Sequence, residues 1–150
     1  MDPNVASHIA RRAHAGQTDR FGDCLIDHVA RVAAVVPPDA QTLAWLHDIL
    51  ELTETTPEGL RQRGLTPGEE RALELLTRAG DEPYEAYALR VALASGDEGR
   101  LARLVKRADL DDHIRHARPG VEAPPYAWAR RHIDSAQWRN HELAPLAGAA

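Results

Sequence analysis

The chain has 150 residues, 43% of them hydrophobic and 27% charged, which suits one soluble domain able to bury a core without staples. A formal charge of −5 argues against a broad nucleic-acid surface, so any anionic ligand must be met locally by a cation or a few placed basic groups. Cys24 is the single cysteine, which excludes an internal disulfide.

The start, "MDPNVASHIARRAHAG", lacks the apolar core of a signal peptide, and no run of 18 apolar residues exists to span a membrane. A cytoplasmic protein is the default expectation. Turn-forming punctuation falls at Gly16 to Asp23, Pro37-Pro38, Thr55 to Pro57, Gly64 to Pro67, Gly80 to Pro83, Ser95 to Gly99 and Pro119 to Pro125. Between these marks apolar residues recur every three or four positions, as in helices. Leu25, Val29, Val32 and Val36 make one stripe, and Leu101, Val105 and Ala108 another. Asp39 is expected to cap the helix that follows it, and Thr66-Pro67 with Glu69-Glu70 has the composition of a helix start. The reading is all-α: one domain over 1–150, a compact irregular bundle of about six to eight helices. Residues 144–150, within "APLAGAA", are expected to fray. The segment after Pro119, with Trp128 and Trp138, either completes the bundle or forms an oligomer contact.

One predicted helix is odd. In "TLAWLHDILELT", Thr42 to Thr53, apolar residues lie almost all round, yet His47, Asp48 and Glu51 are set among them. Spacings of three and four bring these groups together on a helix. A buried carboxylate costs several kcal/mol unless partnered, and a divalent cation is one such partner. The same anomaly recurs at His28, beside Val32 and Val35, and at Asp109, which stands where the Leu101–Val105 stripe calls for another core residue. His28, His47, Asp48 and Asp109 together offer two imidazoles and two carboxylates, a set suited to Mn²⁺, Fe²⁺, Zn²⁺ or Mg²⁺. The plainer alternative is a core histidine bonded to a backbone carbonyl and an aspartate paired with Arg107 or Arg115; the residues alone leave both open.

The order and context of these residues resemble a known family. The segments "RAHAGQTDRFGDCLIDHVARVA", "DAQTLAWLHDILELT", "GEERALELLTR", "DEPYEAYALRVA" and "RLVKRADLDDHI" are similar to the HD superfamily of metal-dependent phosphohydrolases. Within it they most resemble the branch holding the guanosine tetraphosphate (ppGpp) hydrolase domains of Rel/Spo proteins and their small relatives. The likeness runs from about Ala6 to about Ile114. It implies an all-α bundle, metal ligation by His28, His47, Asp48 and Asp109, and Mn²⁺ as the usual ion, with Fe²⁺, Zn²⁺ or Mg²⁺ as alternatives. It implies that Glu51 activates or orients the attacking water. Lys106, one turn before Asp109, is suited to neutralising phosphate charge, against the plain reading of a solvated lysine. Arg20, Arg90 and Tyr84 are the candidate substrate contacts, while His14, Gly16 and Gln17 fall in the stretch that shapes the pocket edge and Tyr87 reads as core packing.

Three departures bear on substrate. The family carries Glu-Asp where this chain has Glu51-Leu52, an arginine where Asp19 stands, and a His-Asn-rich segment where this chain reads "DLDDHI". The expected partner is thus a small phosphorylated molecule, a nucleotide by preference, with ppGpp one candidate among others. The rival reading is a catalytically impaired HD module that binds metal and nucleotide as a regulator or sensor. A third is a helical protein without metal, whose buried polar groups find other partners. Cys24, Ser7, Ser95 and Ser135 have no nucleophile motif around them.

Overall fold

A computed structural model describes residues 1–19, 21–117 and 124–142. Among the described residues nine α-helices follow one another: α1 (Pro3–Ala13), α2 (Leu25–Val35), α3 (Gln41–Leu46), α4 (Ile49–Leu52), α5 (Pro57–Arg61), α6 (Pro67–Leu76), α7 (Tyr84–Leu93), α8 (Gly96–Arg115) and α9 (Pro124–Glu142). Counting α3 and α4 as one interrupted helix gives eight, in line with the all-α expectation. Among the described residues there is no strand, only an isolated bridge between Thr18 and Cys24. None of the helices is long and apolar enough to cross a membrane.

Local chemistry fixes several boundaries. The Thr66 side chain accepts from the Glu69 N–H while Glu69 reaches back to the Thr66 N–H, so α6 starts on a full capping box with Pro67 in its first turn. Asp39 does not cap α3. It falls in a 3-10 turn, Pro38–Ala40, and its carboxylate takes the Arg100 guanidinium at 2.8 Å. At the end of α1 the chain turns through Gly16 at φ 78°, a region that favours glycine.

The 20-residue α8 is the axis of the molecule, packed against α2, α3, α6, α7 and α9. Its apolar stripe, Leu101, Ala102, Val105 and Ala108, meets Val32 of α2, Leu43 and Leu46 of α3, and Leu73 and Leu76 of α6 in a single core cluster. α9 buries Ala129 and Ile133 against α7 and α8, so it completes the bundle. Each fully buried Leu or Ile contributes about 1.5–3 kcal/mol. Leu43, Leu46 and Ile49, all at 0% exposure, therefore anchor the His47–Asp48 segment on both sides.

Arg20 and the 144–150 end lie outside the described residues.

Candidate metal centre

The expected single helix from Thr42 to Thr53 is broken at the residues that matter. His47 and Asp48 form the turn between α3 and α4, and Asp48 sits at φ −99°, ψ −7°, in the sparsely populated bridge region. His47 Nδ1 donates to the Ala44 carbonyl at 2.7 Å, turning Nε2 away from its own backbone. In a regular helix adjacent side chains diverge by about 100°. Here the two nonetheless meet, His47 Nε2 lying 3.5 Å from Asp48 Oδ1.

His28 enters from α2. Its Nδ1 donates to Asp112 at 2.8 Å, and Asp112 is gripped by Arg31 through two bonds of 2.9 Å. That brace fixes the ring and directs Nε2 inward. Asp109 enters from α8. His28 Nε2 lies 3.4 Å from His47 Nε2, 3.2 Å from Asp109 Oδ1 and 4.0 Å from Asp48 Oδ2. His47 Nε2 lies 3.5 Å from Asp48 Oδ1 and 3.9 Å from Asp109 Oδ1. A cation with ligand bonds of about 2.1 Å holds neighbouring ligands about 3.0–3.4 Å apart and opposed ones about 4.2 Å apart. Each of the two imidazoles therefore stands at coordination-shell distance from the other and from both aspartates, and the buried His/Asp groups could hold a metal ion.

The electrostatics point the same way. Burial alone lowers the His28 pKa, but the hydrogen bond and charge of Asp109, the charge of Asp48 and the bond to Asp112 raise it to about 9. Three carboxylates crowd one imidazole, a field that favours a cation at its focus. Burial works against the charged form of Asp109, yet Lys106, His113 and His28 hold its pKa well below the usual carboxylate range. Burial likewise opposes the Asp112 carboxylate, but Arg31 and His28 bring it down to about 2.

Lys106 is not a solvated surface lysine. It is buried, its Nζ is 2.7 Å from Asp109 Oδ2, and it lies 4.9 Å from the centre of the Tyr87 ring and 5.8 Å from that of Tyr84. Nor does Asp109 pair with Arg107 or Arg115, as the plainer reading had it; Lys106, His28 and His113 take its two oxygens. This leaves Oδ1 on the side of the two imidazoles.

A cleft of about 350 Å³ opens over the centre, with His47, Asp48, Asp109 and Lys106 in its wall. Glu51 and Tyr84 also line it. Glu51 accepts from the Arg78 N–H at 3.3 Å. The Tyr84 hydroxyl is buried with no hydrogen-bond partner among the described residues, and burial pushes its pKa up to about 12. A second groove of about 460 Å³ runs between α2 and α8, with Arg31 and Asp112 in its wall.

Arg90 is elsewhere. Its guanidinium bonds both Glu82 oxygens and the carbonyls of Leu75 and Thr77, so it ties the α6–α7 connection together rather than facing the cleft. Tyr87 donates to the Leu76 carbonyl at 2.5 Å and lies in the core, as its reading had it. His14 is fully buried, and Gln17 links its Nδ1 to the Leu52 carbonyl, bracing the end of α4 beside the cleft. Asp112, in the altered "DLDDHI" segment, and Arg31 are braces whose pairing the sequence does not reveal. Their partners lie 84 and 81 residues away in the chain, and a charged run such as "DLDDHIRH" looks like solvated surface until the fold is known.

No protein-family model matches this chain, and no curated protein sequence matches it.

Proposed function

We propose that the chain is an HD-type metal-dependent phosphohydrolase acting on a small phosphorylated substrate, a nucleotide by preference. The observation that supports this most is the convergence of His28, His47, Asp48 and Asp109, from three separate elements, at ligand spacing beneath an open cleft. A divalent cation bound there, Mn²⁺ by resemblance, supplies Lewis acidity for a phosphate oxygen and for water.

The chain's own groups account for the rest. Glu51, at the cleft wall, is the acceptor for the proton of the attacking water. Lys106 keeps Asp109 ionised and adds positive potential to the floor where phosphate charge develops. The unpartnered Tyr84 hydroxyl is available as a donor to a phosphate oxygen or sugar hydroxyl. Asp19 forms its own turn, its Oδ1 accepting from the N–H groups of Phe21 and Asp23 at 2.8 and 3.0 Å, so it does not substitute for a base-stacking arginine. The reading is therefore a phosphoester or pyrophosphate hydrolase with ppGpp as one candidate substrate.

The impaired-sensor alternative draws on Leu52, an apolar residue of the cleft wall where the resembled family has a second acid. A panel of nucleotides and phosphate esters, incubated with Mn²⁺, Mg²⁺ or Zn²⁺, separates the two. Metal-dependent release of phosphate or pyrophosphate is expected, and Glu51→Gln should keep the metal while losing about 100-fold or more in kcat. Ligand-dependent thermal stabilisation without product would favour the sensor.

A further inference from the structure

His113, in the altered "DLDDHI" segment, stands at the centre as well. It lies one turn beyond Asp109 on α8, and its Nε2 is 3.0 Å from Asp109 Oδ1, the same oxygen that faces His28. The other oxygen, Oδ2, is taken by Lys106. The His113 ring stacks on two others, His28 at 4.6 Å and 28° and Tyr126 at 4.8 Å and 9°. A ring packed against two others loses little further freedom when its nitrogen is engaged. The donor atoms of His28, Asp109 and His113 lie within 4.8 Å of one another, as do those of His28, His47 and Asp48.

These two groups share His28. An imidazole Nε2 has one lone pair, so they cannot each hold a separate cation through that atom. They either compete for His28 or belong to one site. We infer that His113 is a fifth ligand of the same cation, making a centre of three imidazoles and two aspartates; this rests on the metal-centre reading above. The third imidazole shifts preference away from Mg²⁺ and toward Fe²⁺, Co²⁺ or Zn²⁺, because imidazole suits the later ions better than carboxylate and water do.

X-ray absorption on the full chain loaded with Co²⁺ counts the coordinated imidazoles, and competition dialysis with Zn²⁺ gives affinity. Three imidazoles are expected for the wild type and two for His113→Ala, with the Zn²⁺ Kd of the variant raised at least tenfold. His113→Gln keeps a polar contact to Asp109 and should behave as the alanine variant does. Two imidazoles in the wild type, or unchanged count and affinity in a folded variant, would overturn the inference while leaving the four-ligand centre standing. A wild-type chain that takes up no Co²⁺ or Zn²⁺ would overturn both together.

Discussion

Lys106 and Asp109 are sealed from water at 3% to 9% exposure, three residues apart on α8, and neither is tolerable there without the other. Removing one member of a buried pair strands its partner at a cost of about 3–5 kcal/mol. Asp109→Ala should therefore lose metal binding and about that much stability in urea unfolding. Asp109→Ala with Lys106→Met removes both charges; it should regain most of the stability and none of the metal. Equal stability of the single and double variants would mean that the pair is not the buried unit described. At this scale the sequence was legible where a polar residue interrupted an apolar stripe, as at His28 and Asp109. His113, like Asp112, was legible only as part of an altered segment, because the run it closes has a spacing that fits a solvated face as well as a site.

Among elements, the site depends on how α8 begins and how α6 passes to α7. A Cβ on Gly99 would collide with the Ala94 carbonyl, the group that also accepts from Arg103. Gly99→Ala should cost about 2–3 kcal/mol, since the obstacle is backbone rather than a flexible side chain; a stability equal to wild type would show that the close approach is relaxed in solution. Arg90 holds the α6–α7 connection through Glu82 and two carbonyls, and Arg90→Ala should cost about 1–2 kcal/mol. The Glu82 pKa is lowered by its bond to Arg90. A carboxylate with a lowered folded-state pKa contributes stability above its unfolded value of about 4.3 and loses it as pH falls through the folded value. The difference between wild type and Arg90→Ala should thus be full at pH 6–7 and shrink as pH drops below about 4.3; a difference that does not change would assign the effect to the carbonyls alone. Helix existence was legible from period and caps. The break at His47–Asp48 was not, since it depends on an imidazole bonded to its own chain and on a centre assembled from α2 and α8.

Across the whole molecule, a cation at the centre would tie the α3–α4 junction to α2 and α8, elements otherwise joined through the apolar core and, between α2 and α8, through the grip of His28 and Arg31 on Asp112. A ligand that binds only the folded state adds about 2.7 kcal/mol at one hundred times its Kd, which for a domain of this size corresponds to about 5–10 °C in Tm. Mn²⁺ or Zn²⁺ should raise Tm by that order, EDTA should reverse the rise, and Asp48→Ala should show no response. A similar rise in Asp48→Ala would place the binding somewhere else. The net charge of −5 makes this local cation more consequential for an anionic substrate, because the cleft wall itself carries Asp48, Glu51, Glu85 and Asp109 beside Lys106 and Arg78.

Equilibrium dialysis with elemental analysis, on wild type and on Asp48→Ala and Asp109→Ala side by side, tests the centre most directly. One divalent cation per wild-type chain and none in either variant is the expected result. A wild-type chain that binds none, or variants that bind as tightly as wild type, would contradict it.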